Sequence, residues 1–96
     1  MTYTNATVII AADDQTAAQA DFPGSFVSGF ADPSGAVFCA CAGLWADEDL
    51  ARITDGSVVW PSQVYHDEVG AVLALLELTP VALEPMPADP QPQQAQ

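Results

Sequence analysis

The chain contains no lysine and a single arginine, Arg52, against thirteen acidic residues. This shortage of cations, and not an excess of acids, produces its formal net charge of -12 at pH 7. A protein needs lysine or arginine to neutralise phosphate groups, so the composition argues against direct binding of nucleic acid and against attraction to an anionic membrane. A charged partner of this chain should be basic.

Long apolar runs and a disulfide framework are also missing. No stretch reaches the roughly 18 to 20 apolar residues that a transmembrane helix requires. Residues 1–14 have no basic region, and their apolar run is too short for a signal peptide. The two cysteines, Cys39 and Cys41, lie about 6.5 to 7 Å apart at Cα if their segment is a strand, which is too far for a disulfide. These features predict free thiols and a cytoplasmic protein, located in the host cytoplasm or the virion if it is encoded by a phage.

The first half of the chain predicts a strand, a short helix and a hairpin. Residues 6–12 form an apolar run rich in β-branched side chains, typical of a central strand buried on both faces. Asp13-Asp14 precede the alanine-rich segment 15–22, which predicts a short helix with an aspartate N-cap. The sequence Asp32-Pro33-Ser34-Gly35 is typical of a type I turn and predicts a β-hairpin over residues 25–44.

The segment after the hairpin predicts another short helix and an interrupted strand. Asp47 is the expected N-cap of this helix, and Gly56 is expected to end it. The segment 57–66 has strand-forming residues on both sides of Pro61, which cannot donate a hydrogen bond to a neighbouring strand. We therefore expect an edge or bulged strand there.

A third helix, an additional edge strand over residues 81–83 and a tail complete the chain. The helix is expected to begin at Asp67-Glu68, and its apolar stripe consists of Val69, Val72, Leu73 and Leu76. Residues 85–96 are rich in proline and glutamine and are expected to be extended or disordered, which leaves one domain over residues 1–84.

The predicted fold class is α+β, with an antiparallel sheet and short helices on one of its faces. The predicted element order is β-α-β-β-α-β-α, and its first six elements have the order of a ferredoxin-like sandwich.

Each acidic cluster falls at a predicted helix N-terminus. Carboxylates there cap free N–H groups and interact favourably with the helix dipole, which gives the clusters Asp13-Asp14, Asp47-Glu48-Asp49 and Asp67-Glu68 a structural role.

The candidate catalytic and metal-binding residues are few. Cys39, Cys41 and His66 are the soft ligands of the sequence, whereas a structural zinc site takes four Cys or His ligands with paired spacing such as CxxC. The sequence has no GxSxG motif, and without lysine it has no phosphate-binding P-loop. We therefore expect no enzyme activity, no metal and no cofactor.

The large aromatic residues suggest a binding role. Trp45, Trp60 and Tyr65 lie at element ends or on the interrupted strand, where such residues either fill the edge of the core or anchor a protein interface. If they form an interface, Trp60→Ala should weaken binding without unfolding the domain.

The sequence predicts a non-enzymatic acidic domain that binds a protein partner or itself. By analogy, a phage accessory protein would suit this size, either as a virion component or as an inhibitor of a host factor. The alternative is an acidic mimic of nucleic acid that occupies the groove of a basic host protein. Such a mimic requires carboxylates spaced like backbone phosphates.

Overall fold

The structure is a computed structural model that describes residues 2–66 and 69–83. Five strands, three α-helices and one 3₁₀ turn make up this described part and confirm the α+β class. In chain order they are β1 (Tyr3–Ala11), the 3₁₀ turn (Ala12–Asp14), α1 (Gln15–Asp21), β2 (Ser28–Ala31), β3 (Val37–Ala46), α2 (Asp47–Thr54), β4 (Gln63–Tyr65), α3 (Val69–Leu76) and β5 (Thr79–Val81). The predicted tail over residues 85–96 lies outside the described residues.

The five strands form one antiparallel sheet in the order β4-β1-β3-β2-β5. The first strand has neighbours on both sides, as its continuous apolar run predicts. The predicted edge strand 57–66 is shorter than expected and pairs only as β4, after Pro61. The predicted C-terminal strand lies two residues earlier than expected, and both of these short strands occupy the edges of the sheet.

The hairpin between β2 and β3 is held by the turn that the sequence predicts. The Asp32 Oδ1 accepts hydrogen bonds from the backbone N–H of Ser34 at 2.9 Å, from the Ser34 hydroxyl at 2.6 Å and from the N–H of Ala36 at 3.0 Å. These bonds favour the ionised form and lower the pKa of Asp32. Gly35 has a φ of +92°, which explains why a glycine occupies this position.

The first core lies on the face of the sheet that α1 and α2 cover. Alternate residues of β1 and β3 point to this side, as the two-residue period of a strand requires. The buried residues of this core are Ala6, Val8, Ile10, Ala18, Phe26, Cys39, Trp45, Leu50, Ile53 and Trp60.

The third helix packs on the opposite face, so the prediction that the helices share one face is wrong for α3. Its Val72 is buried with Ile9 of β1, Ala40 of β3 and Phe30 of β2, and Leu73 and Leu76 pack against the same cluster. The physical reason is that β1 and β3 are apolar on both sides, so each side needs a cover. No helix in the described part of the chain is long and apolar enough to cross a lipid bilayer.

The expected aspartate caps are confirmed only in part: the position of the α1 cap is right, and Asp47 as the cap of α2 is wrong. Asp14 occupies the N-cap position of α1 but makes no side-chain cap hydrogen bond. The N-cap of α2 is Ala46, so that Asp47 lies in the first turn. Its carboxylate accepts hydrogen bonds from the hydroxyls of Thr2 and Thr4, and these bonds lower the pKa of Asp47. Asp47 therefore ties α2 to the start of β1, while Asp67-Glu68 lie outside the described residues.

Candidate functional site

Trp45 and Trp60 belong to an aromatic cluster inside the first core. They are only 7% and 3% exposed, respectively. The Phe22 ring lies edge-on to both indoles, with centroids 5.4 Å from Trp45 and 6.0 Å from Trp60. The Phe26 centroid lies 6.0 Å from Trp45 and 5.5 Å from Trp60. These are the distances at which aromatic rings attract each other beyond simple area burial.

Polar groups of the same domain complete this cluster. The Trp60 Nε1 donates to the Asp21 carboxylate at 2.8 Å, and the Trp45 Nε1 donates to the Cys41 carbonyl at 3.3 Å. The guanidinium of Arg52 lies 5.2 Å from the Phe22 centroid and 3.8 Å from Asp21. Both indole N–H groups are therefore satisfied within the domain, and the single cation of the sequence lies over the cluster.

The three aromatic residues predicted to contact a partner do not form one surface. Tyr65 lies on the face of the sheet opposite the two tryptophans, half-buried beside α3, and its hydroxyl donates to the Gln63 Oε1 at 2.6 Å. The interface role of Trp45, Trp60 and Tyr65 stays a prediction.

One strand of the sheet, β1, separates the cysteines from the histidine. Cys39 is buried in the first core, where burial raises the pKa of its thiol, and both cysteines are free thiols in the structure. His66 is exposed and follows β4, while the cysteines lie in β3. Because β1 lies between β4 and β3, two strand spacings, about 9.5 Å, separate these backbones. In the described residues, no three Cys, His or acidic side chains are grouped so that they could hold a metal ion.

An apolar groove lies between α3 and β4. Its volume is about 420 Å³, and Asp32 and Tyr65 are the titratable side chains among the described residues that line it. The Asp32 carboxylate is already engaged by its own turn. The groove therefore has the character of an apolar cleft beside the second core, which is formed by Ile9, Phe30, Ala40, Val72 and Leu78.

Within residues 2–66 and 69–83, no helix covers the other end of this sheet face. Tyr3 and Asn5 of β1 and Ala42 and Leu44 of β3 lie there, and we call these four residues the open half-face. The register pairs Asn5 with Leu44, so the two exposed side chains are neighbours. Leu44 is 75% exposed and Tyr3 is 56% exposed. None of the four is charged, which is notable in a chain with a net charge of -12.

A second groove runs along β3 beside the open half-face. Its volume is about 400 Å³, and its walls include Phe22, Ser25, Leu44, Glu48 and Asp49. β2 pairs with residues 37–40 of β3 only. In the described part of the chain, no strand pairs with residues 41–46 on the side away from β1. We call the backbone of residues 41–46 on that side the open edge.

The segment before β2 is held away from this edge. Phe26 has a φ of +59°, a conformation that costs a non-glycine residue roughly 1–2 kcal/mol. Two glutamines of α1 fix the turn, because the Gln15 Nε2 donates to the Phe26 carbonyl at 2.9 Å and the Gln19 Nε2 donates to the Ser25 carbonyl at 2.8 Å. The chain thus joins the sheet only at Ser28, and β2 pairs with no more than four residues of β3, 37–40.

Sequence reasoning missed the open half-face and the open edge. The predicted hairpin ended at residue 44, whereas β3 continues to Ala46 by pairing with the first residues of β1. The available signal was the polar and aromatic start of β1 over residues 3–5. Such side chains cannot all face a buried core, so one face of the sheet had to be open there.

No protein-family model matches the chain, and no curated protein or solved structure is significantly similar to it.

Proposed function

We propose that this domain is a non-enzymatic binding module for a basic protein, which it contacts through the open half-face. The observation that carries the proposal is the exposure of Leu44 next to Tyr3, on a part of the sheet that α3 leaves uncovered. Exposed apolar side chains grouped on one rigid surface are typical of protein-binding sites.

The charge of the domain supports a basic partner. The formal net charge is -12, and the one arginine lies 3.8 Å from Asp21 and 3.9 Å from Asp49. A protein with positive charge around an apolar patch would be attracted over a long range and would not meet an opposing cation at the site.

Two leucines of equal exposure provide a test. Leu44 is 75% exposed on the open half-face and Leu75 is 74% exposed on α3. Wild type, Leu44→Ser and Leu75→Ser are used to capture proteins from a lysate of the native cell, and the captured proteins are compared by mass spectrometry. We expect a basic protein that wild type and Leu75→Ser retain and that Leu44→Ser loses.

Circular dichroism of both variants controls for folding. Equal capture by Leu44→Ser and wild type would show that the open half-face is not the binding surface. Loss with both variants would point to a general loss of solubility or folding instead.

The second candidate function is an acidic mimic of nucleic acid. The layer formed by α1, α2 and their adjoining turns carries Asp13, Asp14, Asp21, Asp47, Glu48, Asp49 and Asp55. Capture by this layer would weaken steeply with added salt and would be insensitive to Leu44→Ser, whereas an apolar contact would persist in salt.

We also propose a ferredoxin-like arrangement for the first six elements. The antiparallel order β4-β1-β3-β2 and the shared face of α1 and α2 support this proposal. In this arrangement, α3 and β5 are additions to the six-element unit.

A further inference from the structure

We infer that the partner binds by adding an extended basic segment as a new strand on the open edge of β3. This inference rests on the proposed function and specifies how the partner is recognised. An exposed strand edge presents unpaired backbone N–H and C=O groups, which an extended peptide can satisfy by continuing the sheet.

The open edge has the length and the access that strand addition needs. Residues 41–46 span about 20 Å of extended backbone, and the groove of about 400 Å³ lies along them. Gly43, in the middle of this segment, has a φ of +142° and no atom within 4 Å of the place where a Cβ would stand. A glycine in a strand interior often marks a place where another backbone approaches closely.

The two sides of the open edge differ in chemistry, and this difference defines the incoming sequence. On one side, an added strand would lie next to Ala42 and Leu44 of the open half-face. On the other side, it would face the groove wall that Glu48 and Asp49 line. Asp49 lies 3.9 Å from Arg52, so Glu48 is the carboxylate of this wall that an incoming cation would meet. Because successive side chains of a strand point to opposite faces, the fitting segment alternates apolar and basic residues.

A second copy of this chain fits the open edge less well. Each copy has a net charge of -12, and pairing two open edges would bring the Glu48 and Asp49 groups of both copies close together. The repulsion between these like charges opposes association of two copies. Charge complementarity therefore favours the basic segment.

The test uses an acetylated and amidated hexapeptide that alternates valine and lysine. Binding to the full chain is followed by NMR, with hydrogen exchange of the backbone amides as the readout. We expect slower exchange for the amides of residues 41–46 that face the open edge. A peptide of the same sequence with alternate N-methylated residues should bind about tenfold more weakly, because it cannot donate those hydrogen bonds.

Matched variants test the charge of the groove wall. Glu48→Gln should weaken binding of the valine–lysine peptide by roughly two- to fivefold, the range for one exposed ion pair. Glu77→Gln, an equivalent exposed change at the end of α3, should leave binding unchanged, and a valine–glutamate peptide should not bind.

Three results would overturn the inference. These are unchanged amide exchange over residues 41–46, equal binding of the N-methylated peptide, or a dimer in solution that protects the amides of this edge without any peptide. If the peptide fails while capture of a basic protein still depends on Leu44, strand addition is wrong and the proposed function stands. If the peptide protects the edge while Leu44→Ser captures the same proteins as wild type, the proposed contact through the open half-face is wrong.

Discussion

At the scale of single residues, the two tryptophans are used mainly for packing. Trp60 contacts two phenylalanine rings and donates its N–H to Asp21, so almost none of its surface reaches solvent. A side chain buried in this way contributes to stability, so we no longer expect Trp60→Ala to leave the fold intact.

Trp60→Ala should instead destabilise the domain by roughly 3–5 kcal/mol, the range for removing a large buried aromatic side chain. The adjacent Val59 is 87% exposed, so Val59→Ala should change the free energy of unfolding by less than about 0.5 kcal/mol. Urea denaturation followed by tryptophan fluorescence and circular dichroism measures both. If Trp60→Ala unfolds at the same urea concentration as wild type but captures no partner, the interface role of Trp60 would be restored.

At the scale of elements, the short strand β5 is secured by Leu83, two residues beyond its end. Leu83 packs against the first core over Gly29 of β2. A Cβ on Gly29 would stand 2.5 Å from Leu83 Cδ2 and 3.0 Å from the Val81 carbonyl oxygen. The glycine is therefore required by the close approach of β5 and not by a turn.

Gly29→Ala should destabilise the domain by roughly 1–3 kcal/mol, as overpacking does in other tightly packed sites. Gly70 is the matched control, because it lies in α3 and no described atom beyond its own helix backbone and chain neighbours lies within 4 Å of the place where a Cβ would stand. Gly70→Ala should stabilise the domain by roughly 0.5–1 kcal/mol through the higher helix propensity of alanine. Thermal unfolding of both variants tests this pair, and equal shifts in Tm would contradict the role given to Leu83.

At the scale of the whole molecule, the dominant feature is uncompensated negative charge. The acidic side chains of the α1 and α2 layer repel one another, and Arg52 is already paired with Asp21 and Asp49. Net charge far from zero favours solubility but destabilises a compact state through self-repulsion.

Added sodium chloride should therefore stabilise the domain at pH 7. Raising the concentration from about 0.01 to 0.15 M shortens the screening length from about 30 to 8 Å, which weakens repulsion between carboxylates. We expect Tm to rise by several degrees over this range and then to level off. Thermal unfolding at both salt concentrations measures this shift, and urea denaturation provides a check because urea itself adds no ions. A Tm that falls with salt would show that attractive ion pairs outweigh the repulsion.

Several local features follow from the sequence because neighbouring residues decide them. The Asp32-Pro33-Ser34-Gly35 turn forms through its own side-chain hydrogen bonds, and Val72, Leu73 and Leu76 of the predicted α3 stripe pack on the sheet. The α+β class follows from the same local patterns.

Other features depend on which segments meet in space. The sequence placed the acidic residues at helix starts but could not show that Asp47 would accept hydrogen bonds from Thr2 and Thr4, at the distant start of β1. Nor could it show that α3 would pack on the second face, or that the turn at Phe26 would keep the segment before β2 off the sheet and leave residues 41–46 with an open edge. Strand register and layer choice are set by long-range packing, so the candidate binding surface was decided by the tertiary structure alone.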